Sequence, residues 1–173
     1  NDIDPNLLNN IFKRLGGFVR YGEVIEDLDM FLDTFCEKKG KITFGISTIG
    51  KHTNIYSKKL GNNIKKGFKE YGISSRFVSP RRGENELNAA QIKHNDVLEK
   101  GFELCVLSNG IEEVYGSTLA VQNIDEFVKR DLERPHSDTE MGMLPPKLAR
   151  MLVNFTSLTN GIIWDPFCGS GAF

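Results

Sequence analysis

No apolar run in these 173 residues approaches the roughly 18 needed to cross a bilayer as a helix, so no membrane span is expected. Asn1 to Asn6 hold two aspartates and neither a basic start nor an apolar stretch, which excludes a secretory signal there. The first residue is not methionine, and upstream residues are expected to have been removed or left out. Cysteine is scarce: Cys36, Cys105 and Cys168 are an odd number, far apart, with no C-x-x-C pair. This argues against a disulfide framework and against a metal site, and a reducing cytoplasm fits it best. Cys36 and Cys105 lie in apolar stretches and are expected to be small buried hydrophobes. Neither an internal repeat nor a low-complexity segment is present, which removes solenoids and biased tails.

Acid is missing from one long window. From Lys51 to Arg82 the basic residues are Lys51, Lys58, Lys59, Lys65, Lys66, Lys69, Arg76, Arg81 and Arg82, against Glu70 alone. The window carries +8 and the rest of the chain −9, although the net charge is only −1. A basic segment inside a near-neutral chain implies a localised anionic partner. The 39% hydrophobic and 26% charged residues are otherwise the balance of a soluble globular protein.

Apolar periodicity gives a coarse α/β (α+β) reading. Leu7, Leu8, Ile11, Phe12 and Leu15 mark a helix over 6–15, ended by Gly16-Gly17. A strand follows over 18–25, then a helix over 27–35 with Asp27 as N-cap. The stretch 41–49 alternates as a strand. Leu60, Ile64, Phe68 and Tyr71 give the helix 56–71 a buried stripe, with Lys58, Lys65 and Lys69 opposite it and Lys59 and Lys66 on a flank. A short strand over 75–79, a loop over 80–84 and one helix over 88–100 come next. Strands over 102–108 and 113–122 flank the hairpin signal Asn109-Gly110. A short helix over 124–131 precedes the aperiodic stretch 134–143. A helix over 144–158 starts at Leu144-Pro-Pro-Lys, and a strand of Ile162, Ile163 and Trp164 covers 161–167.

The chain ends on Asp165-Pro-Phe-Cys-Gly-Ser-Gly171-Ala-Phe, an apolar strand running into a glycine loop. Glycines let a backbone turn sharply and approach a ligand closely. An acid four residues before Gly169 suits a cofactor with a cationic aminoacyl group and repels a pyrophosphate. The G-x-G-x-x-G pattern of dinucleotide sites cannot be completed, since the sequence stops at Phe173.

This motif resembles the first cofactor motif of class I S-adenosylmethionine-dependent methyltransferases, especially those acting on exocyclic nitrogens of nucleic-acid bases. Arg130-Asp131, Arg134-Pro135, Asp138 and Gly142-Met-Leu-Pro-Pro-Lys-Leu-Ala149 resemble the linker and first helix of one subgroup. That subgroup is the tRNA guanine-N2 methyltransferases that carry a THUMP domain, an RNA-binding α/β module. The likeness runs in order from about Phe12 to the end. It implies an N-terminal α/β unit over 1–39 (an incomplete ferredoxin-like one), a THUMP-like domain over 40–133, a linker over 134–143, and the start of a methyltransferase domain over 144–173.

By the same resemblance, Asp165, Phe167, Gly169 and Gly171 would line the methionine and ribose side of S-adenosylmethionine, with Leu144 and Pro145 near its other edge. Lys58, Lys59, Lys65, Lys66, Lys69, Arg76, Arg81 and Arg82 would meet RNA, with tRNA the expected partner. The family's ribose-binding acid and its catalytic Asn/Asp-Pro-Pro-Tyr-type motif come later, so no catalytic residue is named and the chain alone is expected to be inactive. Asn95 and His94 are as well explained by capping or solvent as by RNA. Gly116-Ser-Thr118 resembles a family segment of no assigned role. Two other readings stay open: a free-standing RNA-binding module, and a piece of a DNA N6-adenine or N4-cytosine methylase. The apolar residues from Pro145 onward, with no sheet to join, are expected to be mobile or ordered by another chain through self-association.

Overall fold

The computed structural model describes residues 4–38, 40–133, 143–158, 160–169 and 171. The contacts divide the chain into two compact units, Arg20–Val121 on one hand and Asn1–Val19 with Gln122–Phe173 on the other.

The first of these is a five-stranded mixed sheet with helices on both faces. Its strands are β1 (Arg20–Ile25), β2 (Ile42–Gly50), β3 (Ser75–Val78), β4 (Gly101–Ser108) and β5 (Glu113–Val121), in the order β1-β5-β4-β2-β3. β2 pairs in parallel with β3 and β4, while β5 is antiparallel to β4 and β1. Parallel neighbours need crossovers. α3 (Asn54–Glu70) links β2 to β3, and α4 (Ala89–His94) with α5 (Val97–Lys100) links β3 to β4.

Side-chain alternation along the strands sorts the core into two layers. Ile42, Phe44 and Ile46 of β2 and Phe102, Leu104 and Val106 of β4 share one face with Ile64 and Phe68 of α3 and with Phe31 and Phe35 in and after α2 (Leu28–Asp33). Phe44 lies stacked between Phe77 and Phe102, 5.4 Å from each ring centre. Gly61 of α3 sits directly over Phe77; a Cβ there would stand 2.6 Å from the ring, so the helix approaches β3 this closely only with glycine. The other face carries Val78, Leu87, Ile92 and Val97.

A charged network lies in that second layer. Glu103 of β4 is fully buried. Its Oε1 accepts from Arg20 Nη1 at 2.6 Å and from Ser47 Oγ at 2.5 Å, and its Oε2 accepts from Thr118 Oγ1 at 2.5 Å. Arg20 Nη2 donates to the Leu87 carbonyl, and Leu87 N to Ser47 Oγ. The pair therefore joins β1, β2, β4, β5 and the segment before α4, with each carboxylate oxygen satisfied, as a buried charge requires. Thr118 thereby gains a part in the fold. Cys105, expected to be a plain buried hydrophobe, sits beside this network; burial first, and Glu103 second, push its thiol upward.

The second unit holds α1 (Pro5–Arg14), α6 (Ile124–Leu132) and α7 (Pro146–Phe155). The Asp4 side chain caps α1 by accepting from Asn6 N at 2.9 Å. The carbonyls at the end of α1 accept from α7: Arg150 Nη1 donates to Lys13 O at 2.7 Å and Asn154 Nδ2 to Arg14 O at 2.8 Å. Cationic and amide donors there satisfy groups a helix end leaves open. Lys147 and Arg150 also stand over the Phe127 ring of α6.

Several expectations need correction. The 39/40 boundary is not a packing boundary, because β1 pairs with β5 along its whole length. The helix expected over 88–100 is broken at Asp96, which takes a left-handed conformation (φ 51°). Tyr71 caps α3 and is 72% exposed rather than part of its stripe. Residues 161–165 form no strand, since the described residues offer them no backbone partner. Of the stretch from Pro145 onward, expected to be mobile or ordered by another chain, the first part, α7, is held by this chain's own α1. Most of the expected linker, including Arg134, Pro135, Asp138 and Gly142, lies outside the described residues.

Candidate nucleic-acid interface and cofactor turn

α3 presents the densest positive charge. Lys58, Lys59, Lys65, Lys66 and Lys69 are all exposed, and Ser57, Gly61, Ile64 and Phe68 are buried. At about 100° per residue, the buried set centres on Ser57 and Phe68. Lys59 and Lys66 then fall about 180° away, and Lys58, Lys65 and Lys69 about 90° to one side. The expected arrangement is thus exchanged: the flank and the far side swap places once Ser57 and Gly61 join the buried stripe.

Arg76 does not extend this face. Phe77 points to the α3 layer, so its neighbour Arg76 on β3 points to the opposite side of the sheet. There Arg76 Nη2 donates to Asn95 Oδ1 at 2.8 Å, and Asn95 Nδ2 donates to Gln91 O. Arg81 and Arg82 are exposed in the turn after Pro80. The basic window, continuous in sequence, is divided by the sheet into a lysine face and a separate Arg76 site. His94 and Asn95, left undecided by sequence, flank the latter.

The glycine motif forms a turn. Phe167 N donates to Asp165 Oδ1 at 2.9 Å, and Gly171 N to Cys168 O at 2.8 Å. Gly169 and Gly171 take positive φ (51° and 73°), which glycine adopts without a Cβ penalty. Phe167 is 91% exposed. Leu144 and Pro145 stand just before α7, and Pro145 is its N-cap. The Asp165 carboxylate is committed through one oxygen to its own turn; among the described residues the other has no hydrogen-bond partner.

Sequence reasoning missed a polar cluster at the far ends of β2 and β4. Glu113 accepts from Tyr56 Oη at 3.0 Å and Tyr115 Oη at 2.9 Å through Oε2, and Oε1 lies 2.7 Å from His52 Nε2. The His52 ring stacks on Tyr56 with 3.8 Å between centres. The Tyr115, His52 and Tyr56 bonds, in that order, hold the Glu113 carboxyl below its usual range. Burial chiefly, then hydrogen bonding, raises the Tyr56 phenol. The cluster ties the N-terminal turn of α3 to the β4–β5 hairpin. No family model and no curated protein matches the chain.

Proposed function

We propose that this chain is the RNA-binding leading portion of an S-adenosylmethionine-dependent RNA methyltransferase, of the tRNA guanine-N2 kind. The observation that carries the RNA half is α3: five exposed lysines, no acid before Glu70, and a buried side packed on β2 and β3. Solvated helix faces usually mix signs. Five ammonium groups on one firm helix suit a phosphate backbone, whose contacts set position and affinity without reading bases. The cofactor half rests on Asp165, Phe167, Gly169 and Gly171, whose turn leaves a carboxylate oxygen for the aminoacyl end of S-adenosylmethionine.

Binding of bulk tRNA, measured against salt concentration, tests the first half. Affinity falls steeply with salt, and Lys65→Glu/Lys66→Glu/Lys69→Glu weakens it by about 1 kcal/mol or more per lost phosphate contact. Unchanged affinity in the triple variant would mean a merely solvated face. Methyl transfer by the full-length parent onto bulk tRNA, followed by nucleoside analysis, tests the second. The 173 residues alone give no turnover above background. The free-standing RNA-binding module is the second reading, favoured by Arg20–Val121 having a core and a sheet of its own. A parent that binds tRNA and transfers no methyl group would support it.

A further inference from the structure

The Arg76 side of the sheet holds a cavity of about 550 Å³. It lies at the amino ends of the parallel strands, where Lys41, Ile42 and Thr43 enter β2 and Arg76 enters β3, and where Glu99 and Lys100 lead into β4. That is the size range of a small-molecule site. Four cations line it, Lys38, Lys41, Arg76 and Lys100, with His94 beside them. Against these stand two carboxylates, Asp96 and Glu99. Asp96 is already paired with Lys100, its Oδ2 lying 2.5 Å from Nζ. The excess charge is therefore positive and centred on Arg76 and Lys41.

Two features make this more than scattered surface charge. Arg76 is oriented by Asn95, and Asn95 is itself fixed by the Gln91 carbonyl at the end of α4. A guanidinium so held keeps most of its N–H donors for a ligand, and its planar fork matches the oxygens of a phosphate. Asn95 is placed by the break at Asp96, whose left-handed backbone separates α4 from α5. A continuous helix over 88–100 would carry residues 94–96 along a different path. On the other wall Gly40 takes φ 112°, a conformation that favours glycine, so the loop entering β2 has no side chain at this point of the rim.

We propose that this cavity binds a phosphomonoester, with Arg76 and Lys41 as its principal ligands and Lys38 and His94 at its edge. The phosphate is either the 5′-terminal phosphate of an RNA or that of a free nucleotide. Its central residue, Arg76, points to the opposite side of the sheet from the α3 lysines, and the site does not depend on the RNA reading.

Calorimetric titration of the chain with a 5′-phosphorylated oligoribonucleotide, the same oligonucleotide with a 5′-hydroxyl, and AMP separates the two sources. A 5′-phosphate preference of at least about tenfold, with weaker AMP binding, assigns the pocket to an RNA end. AMP binding as tight as that of the phosphorylated strand assigns it to a free nucleotide. Arg76→Gln and Lys41→Gln, both at exposed positions, abolish the preference or the AMP binding. Lys59→Gln/Lys66→Gln leaves it unchanged while lowering affinity for both strands equally. Circular dichroism melting checks that the variants remain folded. Absence of both a 5′-phosphate preference and AMP binding would overturn the proposal, as would phosphate binding that survives Arg76→Gln/Lys41→Gln. Failure of either strand to bind, with AMP still held, would count against the RNA reading alone.

Discussion

Ile42-Thr-Phe-Gly-Ile46 and Gly161-Ile-Ile-Trp-Asp165 are both short, apolar and rich in strand-forming residues, and they end differently. The first is the middle of a sheet, paired on both edges, with Phe44 and Ile46 fully buried. The second is irregular, with Ile162 96% and Trp164 84% exposed. Side-chain preference proposes a strand; a backbone partner makes one. β2 has β3 and β4 within the chain, whereas the described residues offer 161–165 none.

The comparison breaks most sharply under truncation. Phe44→Ala removes a ring packed against Phe68, Phe77 and Phe102, and about 3–5 kcal/mol of stability is expected to go with it. Trp164→Ala, in the exposed segment, should leave stability within about 0.5 kcal/mol of the parent chain. Urea denaturation followed by circular dichroism measures both. A large loss in the Trp164 variant would mean that the segment is packed, and the contrast drawn above would fail.

Almost as large an effect is expected from the buried charge. Arg20→Ala leaves Glu103 without its cation in a fully buried position, and a broken buried pair costs about 3 kcal/mol or more. The double variant Arg20→Met/Glu103→Leu removes both charges and should recover much of that loss. If the double variant is no more stable than Arg20→Ala, the penalty lies in lost packing rather than in an unpaired charge.

Much of the sheet unit was legible because its periodicity is local. Strands β2 to β5, the Asp27 cap and the Asn109-Gly110 turn follow from spacing and turn chemistry alone. A side chain's long-range partner is not encoded that way. Glu103, an acid inside the apolar run Phe102–Leu107, signals a buried partner. Nothing in the sequence points to Arg20, 83 residues away. The division of the basic window has the same origin, since a charge count ignores which way a strand residue faces. Arg76 follows Ser75 by one position and so lands on the side of α4 and α5. The break at Asp96 does leave a trace: Ile92 and Val97 are five residues apart, about 140° around a single helix, and both are buried only because the helix is interrupted between them. In the glycine turn the residues and their order were readable. The strand expected to lead into it was not formed, for the reason already given.

A finer test uses the two sides of the basic window. Lys59→Glu/Lys66→Glu should weaken tRNA binding more than Lys58→Glu/Lys69→Glu, because the first pair lies at the centre of the exposed arc. A difference of about 1 kcal/mol is expected for one more lost phosphate contact, read from filter binding at fixed salt. Equal losses would mean that RNA meets the helix along its flank as much as its crest.

The smallest effect concerns Glu113, at the hairpin end of the same sheet. Its folded pKa lies below the ordinary value of 4.5, held down first by the Tyr115 hydroxyl, then by His52 and Tyr56. The unfolded chain therefore takes up this proton at a higher pH than the folded one. The resulting stabilisation is complete above the unfolded pKa and is lost as pH falls through the lowered folded value. The side chain is one-third exposed, so the gain is modest. Glu113→Gln keeps an acceptor for one hydroxyl and abolishes the titration. The stability difference between the parent and this variant should shrink as pH falls below the ordinary carboxylate range. Urea midpoints at pH 7, 5 and 3 measure it. A difference that stays level down to pH 3 would mean that the cluster holds the hairpin by packing of His52 on Tyr56, and that the carboxylate charge contributes nothing to it.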